Sequence, residues 1–89
     1  MKITVKDVGE FEVKDISYSE ARTIHRENTK IFWGKTETEI NPDQYYDLLE
    51  KVKKLSGVKE SDFKGLSMVE VDSVLQQILM EYTGLNPKT

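Results

Sequence analysis

Apolar and polar residues alternate twice near the start of the chain. Ile3 and Val5 point one way, and Lys2, Thr4 and Lys6 the other. Phe11 and Val13 stand opposed to Glu10, Glu12 and Lys14 in the same manner. A period of two marks a strand with one buried face. The two segments therefore predict a β-hairpin over residues 2–14. Cross-strand partners share a face, so Val5 pairs with Phe11, Ile3 with Val13, and Lys6 with Glu10. That register predicts a three-residue loop, Asp7-Val8-Gly9, with Gly9 in the left-handed position. A two-residue Val8-Gly9 loop would oppose Val5 to Glu12 and is rejected on that ground.

Past residue 16 the apolar spacing becomes helical. Ser17-Tyr18-Ser19-Glu20 has the form of a capping box and predicts a helix over residues 18–33. Its apolar side carries Tyr18, Ala21, Ile24, Ile31 and Phe32, and Gly34 is the stop. Residues 35–40 read either as an exposed loop or as a short edge strand. Asn41 as cap and Pro42 at the first helical position predict a second helix over 42–56. Tyr45, Leu48, Leu49, Val52 and Leu55 form its buried stripe. Gly57 follows its end, with Val58 folding back on the last turn as in a Schellman motif. Residues 59–66 are a connector with room for one helical turn, in which Phe63 and Leu66 face inward. Ser67-Met68-Val69-Glu70 is a second capping box, opening a helix over 68–83 that stops at Gly84. The tail, residues 85–89, is expected to be loose.

The predicted fold class is α+β: an N-terminal β-hairpin packed on three amphipathic helices in a single small domain, residues 1–89. A lone hairpin is marginal in water. It must lie on the helices, gain a third strand from residues 35–40, or pair with another chain.

Composition narrows the function classes. The chain has no cysteine, so thiolate chemistry and disulfides are ruled out, which suits a cytoplasmic protein. A net charge of −3 argues against a general nucleic-acid binder. No apolar run approaches a membrane span, and Met1-Lys2-Ile3-Thr4-Val5 lacks the apolar core of a signal peptide. His25, the sole histidine, sits mid-helix without an orienting carboxylate or nucleophile and reads as a helix-surface residue. The carboxylates do not follow a calcium-loop spacing, and Glu37 and Glu39 read as solvated. The glycines sit at turns and helix ends, not in a phosphate loop. No enzymatic activity, cofactor or metal site is expected.

Two features invite a binding role. Arg22, Arg26 and Lys30 recur every four residues and make a basic stripe, which reads first as a solvated face. In Ile31-Phe32-Trp33-Gly34, consecutive residues face all directions of a helix, so Phe32 and Trp33 cannot both enter one core. Either one is exposed, or Trp33 folds over the hairpin and completes the core. Tyr45 reads as buried and Tyr46 as half wet.

From Asp47 to Tyr82 the chain resembles the tail assembly chaperones of tailed bacteriophages. The resemblance rests on Leu55, Gly57 and Val58 at the end of one helix. It continues with Leu66 before the next helix, the early acidic Asp72, and then Val74, Leu75, Ile78 and Tyr82. The hairpin and serine-capped helix that come first are also similar to the N-terminal part of such proteins, so the likeness covers about two thirds of the chain. The resemblance implies a non-enzymatic factor that binds a long helical tape-measure protein and keeps it soluble until tail-tube subunits replace it. It also implies self-association and action in the host cytoplasm. It carries over no catalytic or ligand residue. The contact candidates are then Phe32, Trp33, Tyr46 and Phe63. Competing readings are a small baseplate or connector subunit that stays in the virion and, behind it, a nucleic-acid-binding regulator using Arg22, Arg26 and Lys30.

Overall fold

The structure, a computed structural model, describes residues 1–84 except the side chain of Glu37. The expectation of a loose tail lies outside the described residues. Strands β1 (Lys2–Val5) and β2 (Gly9–Glu12) form an antiparallel hairpin. Helices α1 (Tyr18–Phe32), α2 (Pro42–Ser56) and α3 (Met68–Thr83) follow. Single 3-10 turns occupy Glu37–Glu39 and Glu60–Phe63. Residues 35–40 therefore supply no third strand, and the sheet of the described residues is two-stranded. The hairpin lies on the helices instead, with β1 against α3.

The register differs from the predicted one by two residues. Ile3 faces Phe11, Thr4 faces Glu10, and Val5 faces Gly9. Val13 pairs with Met1, whose carbonyl accepts its N–H at 2.8 Å. The loop is Lys6-Asp7-Val8, and Asp7 takes the left-handed conformation with φ 65°. Aspartate tolerates that region better than most residues. Lys6 accordingly does not oppose Glu10; Lys2 Nζ comes within 3.8 Å of the Glu10 carboxylate on the wet face. A shift of two preserves which residues face inward, so the alternation pattern cannot tell the two registers apart. Ile3, Phe11 and Val13 are buried in either case.

Local chemistry explains each helix boundary. Ser17 Oγ accepts the Glu20 N–H at 3.1 Å, and Glu20 accepts the Ser17 N–H at 2.9 Å. Ser67 and Glu70 repeat the exchange at 3.2 and 2.9 Å. The two hydrogen bonds from Ser67 hold the Glu70 carboxyl below its ordinary range. Asn41 caps α2 by accepting the Asp43 N–H at 2.9 Å. Such caps satisfy amides that lack an intrahelical partner.

The end of α2 is more connected than its sequence suggests. Gly57 stands at φ 77° and its N–H donates to the Lys53 carbonyl at 3.2 Å. That is a left-handed cap of the simpler kind, not the Schellman pattern. The Val58 N–H turns instead to Ser56 Oγ, at 3.4 Å. Ser56 is only 1% exposed, and its hydroxyl donates to the Lys53 carbonyl at 2.9 Å. Its own carbonyl accepts the Lys14 N–H at 2.9 Å. The Lys14 carbonyl in turn accepts the Tyr82 hydroxyl. One residue at the hairpin exit thus ties together the ends of α2 and α3. A Cβ at position 57 would come within 3.1 Å of the Lys14 side chain, which would have to give slightly, so the positive φ is the main reason for glycine there.

The core draws on every major element. Ile24 and Ile31 come from α1, Leu48, Leu49 and Val52 from α2, and Val74, Leu75, Ile78, Leu79 and Tyr82 from α3. The hairpin and the connector add Ile3, Phe11, Val13, Val58 and Phe63. Tyr45 and Leu55 pack at the edge of this cluster. Tyr18 departs from its predicted place: it is 73% exposed. Six residues before Ile24 is roughly 120° away from it around the helix, so Tyr18 cannot share its face.

Candidate functional site

Three of the four predicted contact residues lie at the surface and one does not. Trp33 is 81% exposed, Tyr46 52% and Phe32 37%. Phe63 is buried, its ring 6.1 Å from that of Phe11 between the connector and the hairpin. Phe63 therefore faces inward, as its place in the connector predicts, and is withdrawn as a contact residue. Trp33 does not fold over the hairpin. It lies nine positions after Ile24, roughly 180° around the helix, which puts it on the face away from the core.

The exposed rings are not scattered. Phe32 meets Tyr45 edge to face, with centroids 5.6 Å apart. Tyr45 continues to Tyr46 at 6.0 Å. Both distances fall in the range where aromatic pairs attract beyond their area burial. Burial pushes the Tyr45 phenol above its ordinary pKa, favouring the neutral form further. Other exposed apolar residues, unmarked by the sequence reading, are Met80 on α3 and Met68 and Val69 at its start. Met68 and Val69 fall in the first turn of α3, before the helix reaches its buried stripe.

The basic stripe is exposed along its whole length. The Arg22 guanidinium lies over the Tyr18 ring, 5.8 Å from its centroid, and donates to the Tyr18 hydroxyl at 3.1 Å. Arg26 and Lys30 form no ion pair among the described residues, whereas Lys51 pairs with Glu27 and Lys53 with Glu60. His25 is exposed on the same helix.

Two concavities border α1 on its α3 side. The larger is lined by Tyr18, Arg22, His25, Arg26 and Lys30, among others, from α1 and by Glu81 to Gly84 from the end of α3. The other is lined by Asn28 and Phe32 from α1, Tyr45 from α2, and Gln76, Met80 and Thr83 from α3. Thr83 belongs to both. Along α1 the lining runs from residue 18 to residue 32, while along α3 it runs backward from 84 to 76. The two helices therefore lie antiparallel and share one seam, basic at one end and aromatic at the other.

Among the described residues, no three His, Asp or Glu side chains come together in a way that could hold a metal ion. No helix there is long and apolar enough to cross a membrane. The arrangement offers apolar area, aromatic rings and cations for recognition. Compared with known protein families, with curated proteins and with solved structures, the chain matches none.

Proposed function

We propose that this protein is a non-enzymatic, protein-binding assembly factor of the tail-chaperone kind, one that captures a helical partner such as a tape-measure protein. The observation that carries the reading is the exposure of Trp33, next in sequence to Phe32 of the Phe32–Tyr45–Tyr46 run. Large aromatics dominate the energetics of protein interfaces, and a small domain has few to leave in water. Amphipathic helices commonly dock their apolar face on such surfaces. Trp33 is also dispensable to the core, which frees it for a partner. The same reading has the protein acting in the host cytoplasm and self-associating between rounds of capture.

The test is coexpression with a long helical tape-measure segment, following how much of that segment stays soluble and copurifies. Replacing Trp33 by alanine is expected to abolish capture while the helical circular dichroism and thermal midpoint stay as before. Undiminished capture by that variant would reject the reading. The protein is also expected to be missing from finished particles; its retention there would favour a structural subunit.

A further inference from the structure

The seam between α1 and α3 has two chemically different halves. The larger concavity carries Arg22 and Arg26 toward the Tyr18 end and Lys30 further along α1, all exposed, and neither Arg26 nor Lys30 has an ion-pair partner among the described residues. At the other end its walls are Phe32, Tyr45 and Met80. The residues between them on α1 follow helical spacing, so one face of the helix looks into the seam throughout. Fourteen steps separate Tyr18 from Phe32, roughly 21 Å at the usual helical rise. The α3 wall is shorter, from Gln76 to Gly84, roughly 12 Å, and the two concavities meet at Thr83. A third helix of up to about four turns could run along the α1 wall and cross the end of α3.

We infer that the α1–α3 seam docks an amphipathic helix of asymmetric composition, with carboxylates at the end that meets Arg22 and Arg26 and apolar side chains at the end that meets Phe32 and Met80. The inference rests on the assembly-factor reading and adds to it the charge order of the partner segment. Charge complementarity selects the occupant. The chain as a whole is acidic, at −3, so a basic rim is a local exception to its own field. Arginines spaced one turn apart suit carboxylates spaced one turn apart on a facing helix. The apolar half supplies the desolvated contact and the basic half sets direction, because reversing the guest would place carboxylates against Met80 and leave the arginines facing apolar chains.

The experiment uses the full chain and labelled synthetic helical peptides of about sixteen residues, roughly the length of the seam. Each carries leucine and phenylalanine at one end and a block of three charges at the other, with glutamate or lysine in the block and the block at either terminus. Fluorescence anisotropy reads their affinity. A glutamate-block peptide in one chain direction is expected to bind at least about tenfold more tightly than its lysine counterpart, since each surface charge contact contributes a few-fold. Its affinity should fall as salt rises from 50 to 200 mM. The Arg22→Glu, Arg26→Glu double variant, checked for unchanged circular dichroism, should reverse that preference. Phe32→Ala together with Met80→Ala should weaken all bound peptides alike. Equal binding of glutamate and lysine peptides that is lost only with Phe32 and Met80 would overturn the inference while leaving the assembly-factor reading intact. No binding of any peptide, with tape-measure capture indifferent to Trp33→Ala, would remove both. Salt-sensitive retention of a DNA or RNA duplex through Arg22 and Arg26, without peptide selectivity, would also overturn it.

Discussion

Helices α1 and α3 are nearly equal in length, at 15 and 16 residues, and each opens on a serine–glutamate capping box. α3 buries Val74, Leu75, Ile78, Leu79 and Tyr82, and touches both other helices and β1. α1 buries only Ile24 and Ile31. Intrinsic helix grammar is thus the same in both, and the difference lies in the width of the apolar face. α3 carries a broad face because it has neighbours on several sides. α1 carries a narrow one because much of its circumference meets water or the open seam. A helix anchored at two points can give most of its surface to recognition, whereas one anchored at five has less to give, exposed Met80 being among what remains.

The comparison can be tested by substitution, beginning with the core. Ile78→Ala, at a position with no exposure, is expected to cost about 2–5 kcal/mol in urea unfolding. On α1 only Ile24 and Ile31 should approach such a cost. A comparable loss from alanine at Thr23 or Lys30 would break the distinction between the helices. Tyr82→Phe removes the hydroxyl that reaches the Lys14 carbonyl and should cost about 1–2 kcal/mol, as expected when a shielded acceptor loses its donor.

Tyr82 also makes a signed prediction about pH. Burial, with added repulsion from Asp15 and Glu20, pushes its phenol up to about 12. An unfolded tyrosine titrates near 10. The folded state therefore favours the neutral phenol. The stability tied to it is complete below about pH 10 and falls as pH rises toward the folded value. Urea midpoints of the wild type should decline more steeply across that window than those of Tyr82→Phe; parallel curves would contradict the assignment.

Smaller effects should separate the two caps. Ser67→Ala and Ser17→Ala each remove one cap, a loss of about 1 kcal/mol. The first should lower global stability, since α3 is woven through the core. The second should mainly speed amide exchange in the first turns of α1. Equal global losses would mean that α1 is as integral as α3. Smallest of all, Trp33→Ala should change stability by under about 0.5 kcal/mol, as exposed substitutions usually do.

The helices were legible because their boundaries are written in local chemistry. Asn41-Pro42, Ser67 with Glu70, and the glycines at 57 and 84 each satisfy backbone groups within a few residues, so α2 and α3 begin and end where predicted. The hairpin register was not, because alternation has a period of two and Asp7 competed with Gly9 for the turn. The Ser56–Lys14–Tyr82 connection was invisible for a different reason: it joins residues up to 68 positions apart through two backbone carbonyls, which carry no sequence signature. For the surface, the apolar pattern sets Tyr18 on the apolar side and leaves Trp33 open; rotation from Ile24 accounts for both being exposed. The seam itself depends on how α3 docks against α1, and no spacing along either helix encodes that.

Trp33 is the chain's only tryptophan, and it stands outside the core. Its fluorescence should therefore be nearly blind to folding: the indole is in water both before and after the chain collapses. The same indole should respond strongly when a partner covers it, with emission moving to shorter wavelength and iodide losing access. The protein thus carries a built-in optical reporter whose signal separates binding from unfolding without any label.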